Sequence, residues 1–186
     1  MERVVQILYA GSGPIGKACA KILDELGAKF EYLQGEVSLC DLLISVHWRT
    51  KFTAEELRRC KIGALNLHNS YLPYNKGADA CSWAIVDQTP HGATLHWMDE
   101  GIDTGPIFFQ LQLHEDAVKF LTAHELYQET TKLEEQLFRS GMTAFLRGDR
   151  HRIPQKGIGS LHKKADFELL ARAVTTRDWK AVSNEV

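Results

Sequence analysis

Residues 4–33 read VVQILYAGSGPIGKACAKILDELGAKFEYL, and this stretch decides the fold. Residues 4–9 are a short β-branched, apolar run, the composition of a strand buried on both faces. The run ends in Gly11-Ser12-Gly13-Pro14. Ile15, Cys19, Ile22, Leu23 and Leu26 then recur at helical spacing, and Gly27 supplies a stop. Residues 29–33 return to a strand pattern. Strand, glycine-rich turn, helix and strand make the opening β-α-β of a doubly wound α/β domain. Only residues 34–40 separate that second strand from the next apolar run at 41–46, too few for a helical crossover, which needs a dozen or more. The predicted fold is therefore α/β: a trimmed doubly wound, Rossmann-like, mostly parallel sheet with helices on both faces.

Further along, Thr53 and Glu56 have capping-box spacing ahead of a helix expected to carry Leu57 and Cys60. Residues 63–68 read as a strand, 69–77 as a loop of turn formers, and 78–87 as a helix. Strands at 93–98 and 107–113 are joined through residues 99–105. Thr122 and Glu125 repeat the capping box before a long helix with Leu126, Thr130, Leu133 and Leu137 on one face. The pattern weakens from Arg150. The expectation is one domain over residues 1–160, with residues 161–186 a tail packed on it.

Lys plus Arg number 22 against 24 Asp plus Glu, a net charge of −2, which leaves no basic footprint for nucleic acid. The local cluster of Arg147, Arg150, His151 and Arg152 reads as a solvated helix end. No apolar run approaches the roughly 20 residues of a membrane span, and no signal peptide is visible. The four cysteines, Cys19, Cys40, Cys60 and Cys81, form no CxxC pair and read as buried reduced thiols of a cytoplasmic protein. His47, His91, His96 and His114 lack metal-ligand spacing, so no metal is expected. They read as structural or solvent-facing, with His47 and His96 the two able to line a cleft.

Gly11-Ser12-Gly13-Pro14-Ile15-Gly16 matches GxGxxG, the turn that seats a dinucleotide pyrophosphate on a helix N-terminus. The fingerprint also wants an acidic residue ending the second strand, and Glu31 comes too early and Glu36 too late. Close helix–sheet packing explains the glycines equally. In Asn66-Leu67-His68, residues two apart on a strand point to the same side, so a carboxamide and an imidazole emerge together at a strand's C-terminal end. That pair suits a carbonyl becoming an oxyanion; it also suits a strand end bonding its own loop. Asp103, in Gly101-Ile102-Asp103-Thr104-Gly105, is a rigidly held carboxylate able to position a water or a histidine, or else a turn former.

Residues 65–77, LNLHNSYLPYNKG, and residues 92–105, GATLHWMDEGIDTG, resemble the two signatures of the folate-dependent formyltransferases. The resemblance runs from about residue 41 to residue 162. That family includes glycinamide ribonucleotide and methionyl-tRNA formyltransferases, sugar-nucleotide N-formyltransferases and formylation domains of peptide synthetases. The resemblance implies a catalytic triad of Asn66, His68 and Asp103, with Ser70 supporting the loop. It also implies a 10-formyltetrahydrofolate co-substrate held near Arg49, Thr50, Lys51, Phe52, Asp99, Glu100, Gly101 and Ile102. Tyr74 and Trp97 are the aromatics to check for substrate stacking.

For the acceptor, the chain reads as too short and too neutral for methionyl-tRNA. The wording of the first signature stands nearer other branches than glycinamide ribonucleotide. An amino-deoxysugar nucleotide stands narrowly ahead of a carrier-protein-bound aminoacyl group. A lapsed folate-binding or interaction module is the non-enzymatic alternative. Oligomeric state is not legible.

Overall fold

The computed structural model describes residues 4–166. The strands are β1 (Ile7–Gly11), β2 (Phe30–Tyr32), β3 (Cys40–Val46), β4 (Cys60–His68), β5 (Lys76–Gly77), β6 (Gly92–Trp97), β7 (Ile107–Gln112) and β8 (Leu161–His162). The helices are α1 (Gly13–Glu25), α2 (Ala54–Arg58), α3 (Ala80–Asp87), α4 (Ala117–Phe120) and α5 (Ala123–Leu146), followed by a 3-10 turn, Lys164–Asp166. Six strands form the main sheet in the order β2-β1-β3-β4-β6-β7. The first three junctions are parallel, whereas β4–β6 and β6–β7 are antiparallel.

α1 begins on Pro14, whose missing N–H is no loss in a first turn. It ends at Gly27, whose φ of +71° lets Ala28 N–H turn back to the carbonyl of Leu23 at 3.0 Å. Ile15, Cys19, Ile22 and Leu23 of α1 meet Leu137, Phe138, Met142 and Phe145 of α5 over one face of the sheet, where Tyr9, Ile44, Leu65 and Trp97 are buried. The opposite face is thinner: Leu8, Leu43, Phe52, Cys60 and Ala64, with Val37 buried beside them. Val37 belongs to residues 33–39, which carry the chain from β2 across β1 to β3 without a helix. Both capping boxes form, with Thr53 and Thr122 each bonded reciprocally to the glutamate three residues on.

Several boundaries differ from the sequence reading. The first strand starts at Ile7 and runs to Gly11, while Val4 is exposed. Cys60, expected on the short helix, is the first residue of β4. Pairing with Cys40 of β3 overrides the helical spacing from Leu57. Arg147, His151 and Arg152 are exposed, as a solvated helix end requires, while Arg150 is half-buried; the guanidinium groups of Arg150 and Arg152 also lie over Phe145 and Trp97 at 3.4 and 3.9 Å. β8 pairs with β5, so the chain beyond residue 160 joins the first signature loop. The expected packing of residues 167–186 lies outside the described residues.

The first glycine turn has a packing reason. A Cβ on Gly16 would sit 2.8 Å from the carbonyl carbon of Gly11, because α1 rises directly against the end of β1. Gly16→Ala is expected to lower stability by about 1–3 kcal/mol. Thermal unfolding checks it: the Tm should fall by roughly 2–4 °C for each kcal/mol.

Candidate active site

β4 ends at the sheet's change from parallel to antiparallel pairing, and this places the site. Asn66 and His68 leave β4 on one side, and β6 runs back alongside with His96 as the residue opposite Asn66. Asn66 Nδ2 lies 3.2 Å from His96 Nε2 and 3.3 Å from Asp103 Oδ1. Asp103 Oδ1 is also 3.3 Å from His96 Nε2. Its Oδ2 accepts a 2.8 Å bond from the Gly77 backbone N–H and stands 3.7 Å from His68 Nε2. The three residues expected to form a triad therefore do converge, and a fourth, His96, stands among them.

In sequence His96 reads as structural or solvent-facing and able to line a cleft, with nothing to join it to Asn66. The antiparallel register that puts it opposite Asn66 is tertiary information. Its Nδ1 faces the carbonyl of its neighbour Trp97 at 2.9 Å, so Nδ1 carries a hydrogen. In a neutral ring Nε2 is then a lone pair turned toward the Asn66 amide, whereas in a charged ring its Nε2–H points to Asp103 Oδ1. The two hydrogens of that amide serve His96 and Asp103 together. His68 uses Nε2 to bond the carbonyl of Asn75 at 3.0 Å. At 3.7 Å it is too far for a hydrogen bond to Asp103.

Asp103 sits at φ +52°, a conformation aspartate tolerates better than most residues. Asp99 Oδ1 accepts from Gly101 N–H at 2.9 Å and from the Thr104 hydroxyl, which ties the loop. Gln155 donates to the carbonyls of Asp103 and Gly105 at 2.7 and 2.8 Å. A Cβ on Gly105 would strike the Trp97 carbonyl, so only glycine lets the loop close against β6. Burial would raise the Asp103 carboxyl, but His68, His96 and the Gly77 N–H outweigh it and hold it well below the usual carboxylate range.

These groups line a cleft of about 1030 Å³. The lining includes Trp48, Arg49, Thr50, Lys51, Phe52, Leu57 and Met98, together with Asp99, Gly101 and Ile102. His47, Asn69, Gly77, Asp79, Tyr127 and Lys164 line it as well. Of the residues expected around a folate, Glu100 is not in the lining. It stands exposed at the apex of the turn that Asp99 closes. Ser70 also lies outside the lining, fully buried, donating to the Tyr74 carbonyl at 2.9 Å while its own carbonyl accepts from Thr94. Trp97 is wholly buried outside the lining, its ring beside Phe108 and Phe145. Tyr74 is half-buried outside the lining, whose aromatic side chains are Trp48, Phe52 and Tyr127. The glycine-rich first turn does not reach the cleft wall. Among the described residues no group of three His, Cys, Asp or Glu is set to hold a metal, and no helix is long and apolar enough to cross a membrane.

Residues 25–141 match the family described as formyl transferase. The chain is 32% identical over 139 residues to a methionyl-tRNA formyltransferase of Synechococcus sp. (strain JA-2-3B'a(2-13)), covering 72% of this chain and 42% of that protein. It is 31% identical over 119 residues to the GDP-perosamine N-formyltransferase of Brucella melitensis, covering 62% of this chain and 43% of the relative. The chain thus spans less than half the length of these relatives. The crystal structure of the formyltransferase PseJ from Anoxybacillus kamchatkensis, in complex with UDP-4,6-dideoxy-4-formamido-L-AltNAc and tetrahydrofolate, superposes with a TM-score of 0.79 at 30% identity, covering 95% of this chain and 94% of that one.

Beside the site, His91 is 2% exposed, and its Nδ1 has no partner among the described residues. Burial, and then the charge of nearby His68, push its pKa down to about 3. The folded value lies below that of a free imidazole, so the unfolded chain holds more protons and stability falls as pH drops below about 6.5. Between pH 6.5 and 5 the His91 contribution approaches about 1.4 kcal/mol per pH unit. Denaturant midpoints across that range should fall more steeply for the parent than for His91→Leu. Parallel slopes would refute the assignment.

Proposed function

Because the chain belongs to the formyl transferase family, we propose that it moves the formyl group of 10-formyltetrahydrofolate onto the primary amine of an amino-deoxysugar nucleotide. The observation that carries this is the convergence of Asn66, His68, His96 and the Gly77 N–H around the Asp103 carboxylate at one wall of the cleft. Similarity to a solved formyltransferase along nearly its whole length, bound there to a UDP-sugar and tetrahydrofolate, supports the acceptor class. The four buried cysteines, none of them in a disulfide, fit a reducing, cytoplasmic setting.

The lining fits a folate on the side of residues 48–52. Trp48, Phe52, Leu57 and Met98 offer an apolar floor for a flat ring, while the exposed residues Arg49, Thr50, Lys51, Asp99, Gly101 and Ile102 offer polar groups along its edge. Thr50, Lys51, Phe52, Asp99 and Ile102 are thus assigned to that subsite. Bound there, the folate supplies an activated formyl carbon on N10.

The Asn66 amide, held by two long bonds of 3.2 and 3.3 Å, is placed to redirect a hydrogen to the oxygen of the formyl group as negative charge develops on it. Free-enzyme contacts of this length commonly tighten only once substrate is bound. His68, held by the Asn75 carbonyl, stands on the same side of β4 and adds a polar edge to that oxygen. Asp103 keeps its charge at neutral pH and attracts the hydrogens on the attacking nitrogen. His96 holds the carboxylate and the amide in register.

The test is formyl transfer from 10-formyltetrahydrofolate to a panel of amines: amino-deoxysugar nucleotides, aminoacyl carrier thioesters, glycinamide ribonucleotide and methionyl-tRNA. Turnover is expected with an amino-sugar nucleotide, and Asn66→Ala should lose roughly 100- to 1000-fold in kcat. Turnover only with the carrier thioester would move the acceptor to that class. No turnover with any amine, together with no rise in Tm on adding folate, would leave a binding module instead.

A further inference from the structure

His47, in the lining of the same cleft as Asp103, and Glu134 behind it form a pair of residues that the chemistry above does not use. Glu134 sits in the middle of α5 with no exposed surface, on the face that also buries Leu126, Thr130, Leu137 and Phe138. Its Oε1 meets His47 Nε2 at 2.8 Å, and its Oε2 has no partner among the described residues. Burying a carboxylate with so little compensation costs several kcal/mol, and an apolar side chain would pack that face better. The pair is therefore not explained by stability.

His47 itself occupies an unfavourable position. It follows β3 at φ +50°, where a non-glycine residue is strained. Ser12 of the glycine-rich first turn holds it there, bonding its N–H to the Val46 carbonyl at 3.0 Å and its hydroxyl to the His47 carbonyl. Two energetically unfavourable features thus meet in one side chain, and that side chain lines the cleft with 23% of its surface exposed. The Glu134 bond selects the form with hydrogen on Nε2. Nδ1, which makes no hydrogen bond among the described residues, is left as a lone pair.

We propose that His47, oriented by Glu134, is the base that takes the proton from the acceptor's ammonium group. This role rests on the formyl-transfer reading. Moving a formyl group from N10 to a neutral amine releases no net proton, because the hydrogen lost by the attacking nitrogen equals the one N10 regains. The proton needing a separate acceptor is the one that makes the free amine an ammonium. In the step proposed, an N–H bond of the ammonium breaks and its electron pair stays on nitrogen as the nucleophile. A new N–H bond forms at His47 Nδ1. The positive charge passes to the imidazole, where the Glu134 carboxylate balances it. Asp103 is poorly suited to this first proton because its carboxylate already faces Asn66, His96 and the Gly77 N–H. Glu134 touches His47, with Cys19 of α1 beside that carboxylate; the titratable and charged groups that share the cleft lining with His47 are Tyr127 of α5, His68, His96, Asp103, Asp79, Asp99, Arg49, Lys51 and Lys164.

His47→Asn is the informative variant, since asparagine tolerates the left-handed backbone and carries no base. Its kcat with the acceptor found above should fall roughly 100-fold at neutral pH, as for loss of a general base, with the KM of the folate little changed. Added imidazole should restore part of the rate, and so should raising the pH until the acceptor amine is already neutral. Neither should restore Asn66→Ala. Nitrogen NMR of labelled histidine should show His47 protonated at Nε2 in the parent and not in Glu134→Leu. An active parent whose His47→Asn variant keeps full rate, or loses it only through acceptor KM with no imidazole or pH rescue, overturns this role alone. A parent inactive with every amine overturns the formyl-transfer reading and this role with it.

Discussion

The register between β4 and β6 is the constraint on which the rest of the site depends. With Asn66 opposite His96 and His68 opposite Thr94, two polar side chains from each strand end up on the same side of the sheet. A slip of one residue would turn each of them to the other face and set apolar Leu67 and Leu95 in their place. Those two leucines are fully buried among α1 and α5, so burial holds the register that chemistry uses. Gly105 and the Asp99 turn then have only to bring one carboxylate back to a line of donors already fixed.

That division of labour explains which parts were legible. Both capping boxes announced themselves, because a threonine and a glutamate three residues apart satisfy each other locally. Asn66, His68 and Asp103 were legible through resemblance and through strand alternation. His96 was not: its importance lies in a pairing across thirty residues of chain, and in sequence it is one polar residue among the apolar ones of a strand. Cys60 was assigned to the wrong element for a related reason. Helical spacing from Leu57 is local, whereas the strand that claims it is set by pairing with Cys40.

The same contrast applies to the first turn. Its glycines look like a nucleotide motif, yet Gly16 is explained by the carbonyl carbon of Gly11 at its back and Ser12 by the backbone of residues 46 and 47. The turn acts as a brace between the ends of β1 and β3. Buried polar groups elsewhere follow the usual rule of being bonded: Ser70, Thr94 and Thr130 all find carbonyls. Against that background the unpartnered Oε2 of Glu134 stands out, as does His91 Nδ1.

The two-residue pairing of Lys76 and Gly77 with Leu161 and His162 gives the site an order of assembly. The Gly77 N–H that bonds Asp103 belongs to a loop whose other anchors come from much later in the chain: Asn75 N–H bonds the Ser160 hydroxyl at 2.8 Å, and Ala78 N–H bonds the His162 carbonyl at 2.9 Å. Closing a loop of some eighty-five residues is an entropic step that local strands and helices do not face. The sheet and its helices can therefore organise before residues 159–162 arrive, while the carboxylate's surroundings cannot. In a growing or refolding chain the scaffold comes first and the catalytic geometry last, so partly folded molecules have the fold without a competent site.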